Sequence, residues 1–109
     1  MMKDKLPQLY PFFFLTFNQD WHYNGENAEE LVHLFLKDNP SSWVREVVYA
    51  LKLLLEMNFS DKQLEDIVVY DLCCSYDPAL DGMSYTEWVH WIKNTLKKGL
   101  EEGTELGVP

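Results

Sequence analysis

The loop Asp77-Pro78-Ala79-Leu80-Asp81-Gly82, with Glu87 downstream, sets three carboxylates around a glycine and has the outline of a calcium loop. An EF-hand needs oxygen ligands at its first, third and fifth positions, glycine at the sixth and glutamate at the twelfth. Counted from Asp77, Ala79 stands at the third position and Glu87 at the eleventh, so no calcium site is expected. The residues read better as turn chemistry: Asp77-Pro78 opens a turn, Asp81-Gly82 completes another, and Ser84 caps the helix that follows. The histidines, His22, His33 and His90, pair with no cysteine or histidine at ligand spacing, and neither H-E-x-x-H nor C-x-x-C occurs. There is no glycine-rich phosphate loop and no G-x-S-x-G elbow. Paired carboxylates for acid–base work need a cleft that separates their ionisation; acids on the polar face of a helix are ordinarily solvated. No enzyme, no metal and no cofactor is expected. Cys73 and Cys74 are neighbours, a spacing that strains a disulfide. They read as reduced thiols of a cytosolic protein.

Charge is the first functional clue. Eighteen acids against nine bases give a net −9. From Leu53 to Ile92 there are eight acids (Glu56, Asp61, Glu65, Asp66, Asp71, Asp77, Asp81, Glu87) and one base, Lys62, so this stretch carries −7. Such a field repels nucleic acid and anionic membrane and attracts basic partners. The plainer reading is that the acids keep a small protein soluble. No signal peptide is expected, because no cleavage site follows the apolar run. That run, Tyr10 to Phe17, is too short to span a bilayer.

The elements that must position these residues are helical. At 109 residues, 47% of them hydrophobic, the chain is expected to form one domain, 1–109, with ample material for a core. Residues 7–18 are aromatic; Pro7 is placed to open a short helix and Pro11 falls in or before its first turn. Residues 27–38 form a helix with Asn27 as N-cap and Glu30 three positions on, its apolar face at 28, 31, 32 and 35 and Pro40 beyond its end. Residues 41–57 carry the longest stripe, Val44, Val47, Val48, Leu51, Leu54 and Leu55, capped by Ser41 or Ser42 and ended by Asn58. Residues 60–73 open on a capping box of Ser60 and Gln63, and residues 84–98 on one of Ser84 and Glu87. Gly99 is a C′ candidate, and the tail 100–109 is expected to be disordered. The expected fold is all-α, an irregular bundle of four to five helices. Phe14, Leu31, Phe35, Val48, Leu51, Leu55, Leu64, Ile67, Trp88 and Ile92 are its expected core.

Two motifs carry a resemblance. Gln19-Asp20-Trp21 follows the aromatic run and precedes an A-E-E-L-V-x-x-F-L helix; a second block contains Cys74, Tyr76, Pro78, Asp81, Gly82, Ser84, Tyr85, Glu87 and Trp88. Together they resemble the small α-helical immunity proteins of contact-dependent growth inhibition (CDI) systems, from about Leu9 to about Leu96. The sequence departs at Asn18, where a histidine is expected. The resemblance implies a bacterial cytosolic protein that binds and neutralises the C-terminal toxin domain of a cognate effector, often a nuclease. It implies no direct contact with nucleic acid or membrane.

Residues shared across such a family are expected to hold the fold, because each member meets a different toxin. Gln19, Asp20, Trp21, Gly82, Ser84, Tyr85, Glu87 and Trp88 are therefore assigned to structure, with Trp21, Tyr85 and Trp88 in the core. Toxin binding is assigned to Glu65, Asp66, Asp71, Asp77 and Asp81, with Tyr70 or Tyr76 as an exposed aromatic contact. The alternatives are an acidic adaptor or regulatory domain that docks a basic host protein, and a DNA mimic.

Overall fold

The computed structural model describes residues 2–105, and no strand occurs among them. Six helices follow in chain order: α1 (Met2–Lys5), α2 (Leu9–Phe17), α3 (Ala28–Asp38), α4 (Ser41–Glu56), α5 (Asp61–Asp66) and α6 (Tyr85–Glu105). Single turns at Trp21–Tyr23 and Pro78–Asp81 are 3-10, and a π-helical turn spans Ile67–Asp71. The architecture is all-α, as expected.

The caps set where the helices begin. Asn27, in extended conformation, accepts the Glu30 N–H on its side chain at 3.0 Å, and Glu30 in turn accepts the Glu26 N–H at 2.9 Å. Ser60 and Gln63 make a complete capping box at the start of α5. Ser84 and Glu87 do the same for α6, with both bonds near 3.0 Å. α4 differs from expectation. Its N-cap is Pro40, and Ser41 is already the first helical residue, since proline's fixed φ and extended ψ turn the chain into the helix without a side-chain bond. α4 stops where Asn58 takes a left-handed φ of 55°.

α4 lies along α6, and α2 and α3 close over them. The core takes Phe12, Phe13 and Phe17 from α2, Leu31, Val32 and Phe35 from α3, Val47, Leu51 and Leu54 from α4, and Trp88, Ile92 and Leu96 from α6. Each large apolar side chain removed from water contributes about 1.5–3 kcal/mol. Leu31, Phe35, Leu51, Leu64, Trp88 and Ile92 are buried as expected, whereas Val48, Leu55 and Ile67 are half-buried at the edge of the core. Phe14 corrects the sequence reading: it is 45% exposed. The buried face of α2 is Leu9, Phe12, Phe13, Thr16 and Phe17, and position 14 points away from it, its ring stacked on Tyr10 at 5.7 Å. A helix that is aromatic on several sides offers no period from which to choose the inner one.

The end of α6 is a second correction. Gly99 sits inside the helix, not at its C′ position, and the helix runs on to Glu105. A Cβ at Gly99 would lie 2.6 Å from Leu36 Cδ1, so the glycine admits α3 at close range. Of the tail 100–109, residues 100–105 are thus helical, and 106–109 lie outside the described residues.

The segment 60–73 is a third. The α-helix covers only Asp61–Asp66; the next turn widens, and the Leu72 N–H donates to the Ile67 carbonyl five residues back at 2.9 Å. Cys73 then takes a φ of 57°. From Leu72 to Ala79 side chains alternate: Leu72, Cys74, Tyr76 and Pro78 are buried, and Cys73, Ser75, Asp77 and Ala79 are exposed. The Ser75 N–H in this segment donates to the carbonyl of Phe17 at the end of α2 at 2.7 Å.

Candidate functional site

The acidic stretch folds into one region made of α5, the π-turn, the 72–84 loop and the first turn of α6. Its carboxylates have partners that differ in kind. Lys62 bridges Asp66 at 3.1 Å and Glu65 at 3.5 Å, and its ammonium is held above its ordinary pKa chiefly by Asp66. Asp61 accepts from the N–H and hydroxyl of Thr86 at 2.9 and 3.1 Å, which ties the start of α5 to the start of α6. Asp77 accepts the Ala79 N–H at 2.9 Å and starts the Pro78–Asp81 turn; Gly82, with φ 70°, ends it in the left-handed region that glycine enters freely. Asp71 accepts the Met2 N–H at 3.3 Å. A hydrogen bond from a neutral donor occupies a lone pair without cancelling the charge. Along the sequence from 53 to 92 only Lys62 offsets these acids.

Tyr76 is not the exposed contact that was expected: it is 2% exposed. Its ring stacks parallel on Trp88 at 5.6 Å and meets Phe17 and Trp21 at 5.6 and 4.7 Å. Its hydroxyl accepts the Ala28 N–H at 3.1 Å and donates to Asp81 Oδ2 at 2.8 Å. Burial first, and the bond to Asp81 second, push this phenol up to about 12. Tyr76 thus joins the start of α3 to the loop, and Asp81, assigned to toxin contact, also holds that joint. Tyr70 is the other aromatic candidate and is 73% exposed, carried outward on the π-turn. Glu65 and Asp71 are half-buried, and Asp66, Asp77 and Asp81 are exposed.

The motif residues divide. Trp88 is fully buried, but Trp21 and Tyr85 are half-buried and pack on the core from outside, since Trp21 lies on a single 3-10 turn and Tyr85 opens α6 beside the acids. Burial first, then Asp77, Glu65, the Cys74 thiol and Asp61, push the Tyr85 phenol up to about 12. Gln19 and Asp20 are exposed. Asn18, in place of the expected histidine, accepts the Asp20 N–H at 2.8 Å and shapes the approach to the Trp21 turn. The Cys74 thiol is buried, which pushes it up to about 12, and Cys73 is exposed; both are free. Among the described residues no group of three or more His, Cys, Asp and Glu is placed to hold a metal ion. Nor is any of their helices long and apolar enough to cross a membrane.

Sequence reasoning missed two features. Asp61 pins two helix starts together; its place directly after the Ser60 cap was a usable signal. The outer face of α2 and α3 exposes Phe14 (45%), Leu15 (58%) and Leu34 (37%), and Leu15 and Leu34 share a hollow of about 170 Å3. Nothing in the local pattern separated these residues from the core.

Two comparisons bear on this arrangement. The profile of the family described as CdiI immunity protein matches residues 5–96. A chain in the crystal structure of the CdiA-CT/CdiI complex from Y. kristensenii 33638 is 26% identical, with a TM-score of 0.81; the match covers 89% of this chain and 99% of that one. No curated protein matches the chain.

Proposed function

Because this chain belongs to the CdiI immunity protein family, we propose that it binds and neutralises the C-terminal toxin domain of a cognate CdiA effector, and that the toxin is a nuclease. It acts in the bacterial cytoplasm, by binding and not by catalysis. The observation that carries the reading is the match over residues 5–96, together with the likeness to a chain of a CdiA-CT/CdiI complex along 89% of the sequence. Charge supports the nuclease reading. A domain that cleaves nucleic acid must be basic where it meets phosphates, and an inhibitor at −9 is drawn to that surface.

The toxin meets the acidic region, at Glu65, Asp66, Asp71, Asp77 and Asp81, with Tyr70 as the exposed aromatic. Supporting this, Glu65 and Asp66 share Lys62, and Glu65 and Asp77 both act on the Tyr85 phenol. Long-range attraction raises the association rate more than it slows dissociation. The test uses the toxin domain encoded beside this chain's gene. Association should slow as salt rises to several hundred millimolar, where the Debye length is only a few ångströms. E65K/D66K, at two exposed or half-buried positions, should slow it further and flatten the salt slope, leaving the helical spectrum intact. If neither the rate nor its slope changes, the acidic face is not the interface.

A second reading has its own observation. Leu15 and Leu34 are exposed around a shared hollow between α2 and α3, and exposed apolar surface of this kind marks interaction sites. On that reading L15D abolishes neutralisation while E65K/D66K does not.

A further inference from the structure

Between the π-turn and the 72–84 loop lies a cleft of about 540 Å3. Val69 and Tyr70 line it from the turn, Cys73 and Asp77 from the loop, and Tyr85 from α6. No lysine, arginine or histidine among the described residues lines it, in contrast to the groove between α3 and α6, where His33, Lys37 and Lys98 alternate with Glu29 and Glu102. Asp77 is in the lining, and Glu65 and Asp61 stand near enough to act on the Tyr85 phenol. Lys62, the lone base of the stretch, is engaged with Glu65 and Asp66.

We propose that this cleft receives an arginine or lysine side chain of the toxin domain, which makes Tyr70, Tyr85 and Asp77 the residues that read it. The inference rests on the toxin-binding reading above. A cation over a tyrosine face is attracted by the ring's quadrupole, more strongly once water is displaced. Its aliphatic stem packs on apolar surface such as Val69, and its charge meets Asp77, with Glu65 and Asp61 behind. A second copy of this chain, itself at −9, is disfavoured by like charge, and nucleic acid is repelled for the same reason.

The experiment measures dissociation constants against the CdiA toxin domain encoded beside this chain's gene, at about 0.15 M ionic strength. Y70A removes an aromatic ring that is 73% exposed, so the fold is untouched. E65Q/D77N removes two charges and keeps an oxygen at position 77 for the Ala79 N–H. E29Q/E102Q makes the same change of net charge in the α3–α6 groove. Y70A and E65Q/D77N should each weaken binding roughly tenfold or more, mainly through faster dissociation, with the E29Q/E102Q control within about twofold of wild type. If both charge pairs weaken binding equally, the attraction is diffuse and the cleft reads nothing. If wild type binds and Y70A and E65Q/D77N bind alike with it, the cleft assignment is wrong while toxin binding stands. If wild type fails to bind the domain, both readings fall.

Discussion

Removing one oxygen, in Tyr76→Phe, tests how the loop is held to the helical body. The phenol makes two hydrogen bonds that look alike in length, 3.1 Å from the Ala28 N–H and 2.8 Å to Asp81 Oδ2. They differ in what replaces them. Ala28 is 1% exposed, so its amide, at the first position of α3, finds no water when the hydroxyl goes. A buried donor left unpaired costs about 1–3 kcal/mol. Asp81 is exposed, and water takes over its side. The ring keeps its packing on Trp88, Phe17 and Trp21, so no cavity forms. Tyr76→Phe should therefore cost about 1–3 kcal/mol, and Asp81→Ala about 1 kcal/mol or less. The assay is urea unfolding followed by far-UV circular dichroism, with an unchanged denaturant slope as the sign that the unfolding transition is the same one. If Asp81→Ala costs as much as Tyr76→Phe, or Tyr76→Phe costs nothing, burial of the Ala28 amide is not what makes this joint matter.

Other perturbations follow from the same geometry. Trp88→Ala, at a fully buried side chain, should cost about 3–5 kcal/mol, read from the same urea curves. Gly99→Ala gains about 1 kcal/mol of helix propensity but drives a Cβ against Leu36, so the gain should appear in full only in a Leu36→Ala background. A double-mutant cycle with no coupling between the two positions would refute the close approach. Cys74, Tyr76 and Tyr85 are all raised to about 12 from ordinary values of 9 and 10. The fold favours their neutral forms, so their contribution is complete below about pH 9 and is lost as pH rises towards 12; Tyr76→Phe should flatten that decline, measured as urea midpoints from about pH 8 to pH 11.

What could be read from the sequence was what local chemistry decides. The Ser60–Gln63 and Ser84–Glu87 boxes and the Asn27 cap are pairs three residues apart, and each forms as its spacing implies. The buried stripe of α4 follows from its period. The rest depends on partners distant in sequence. Tyr76 is buried because Trp88, Phe17, Trp21 and the Ala28 amide converge on it, and nothing in S-Y-D-P announces that. The π-turn is likewise invisible, since the 64, 67, 68 spacing suits an ordinary helix up to the point where the turn widens. Of the candidate contacts, the acids were legible as charge. Their separate duties at Thr86, Met2 and the Tyr76 hydroxyl were not.

The alternation from Leu72 to Ala79 separates two jobs residue by residue. Leu72, Cys74, Tyr76 and Pro78 fasten the segment inward, while positions 73, 75, 77 and 79 face water. Such a segment resembles a printing plate with interchangeable type. Positions 75 and 79 can be exchanged without touching the inward face, whereas Cys73, at a φ of 57°, and Asp77, which starts the Pro78–Asp81 turn, also shape the backbone.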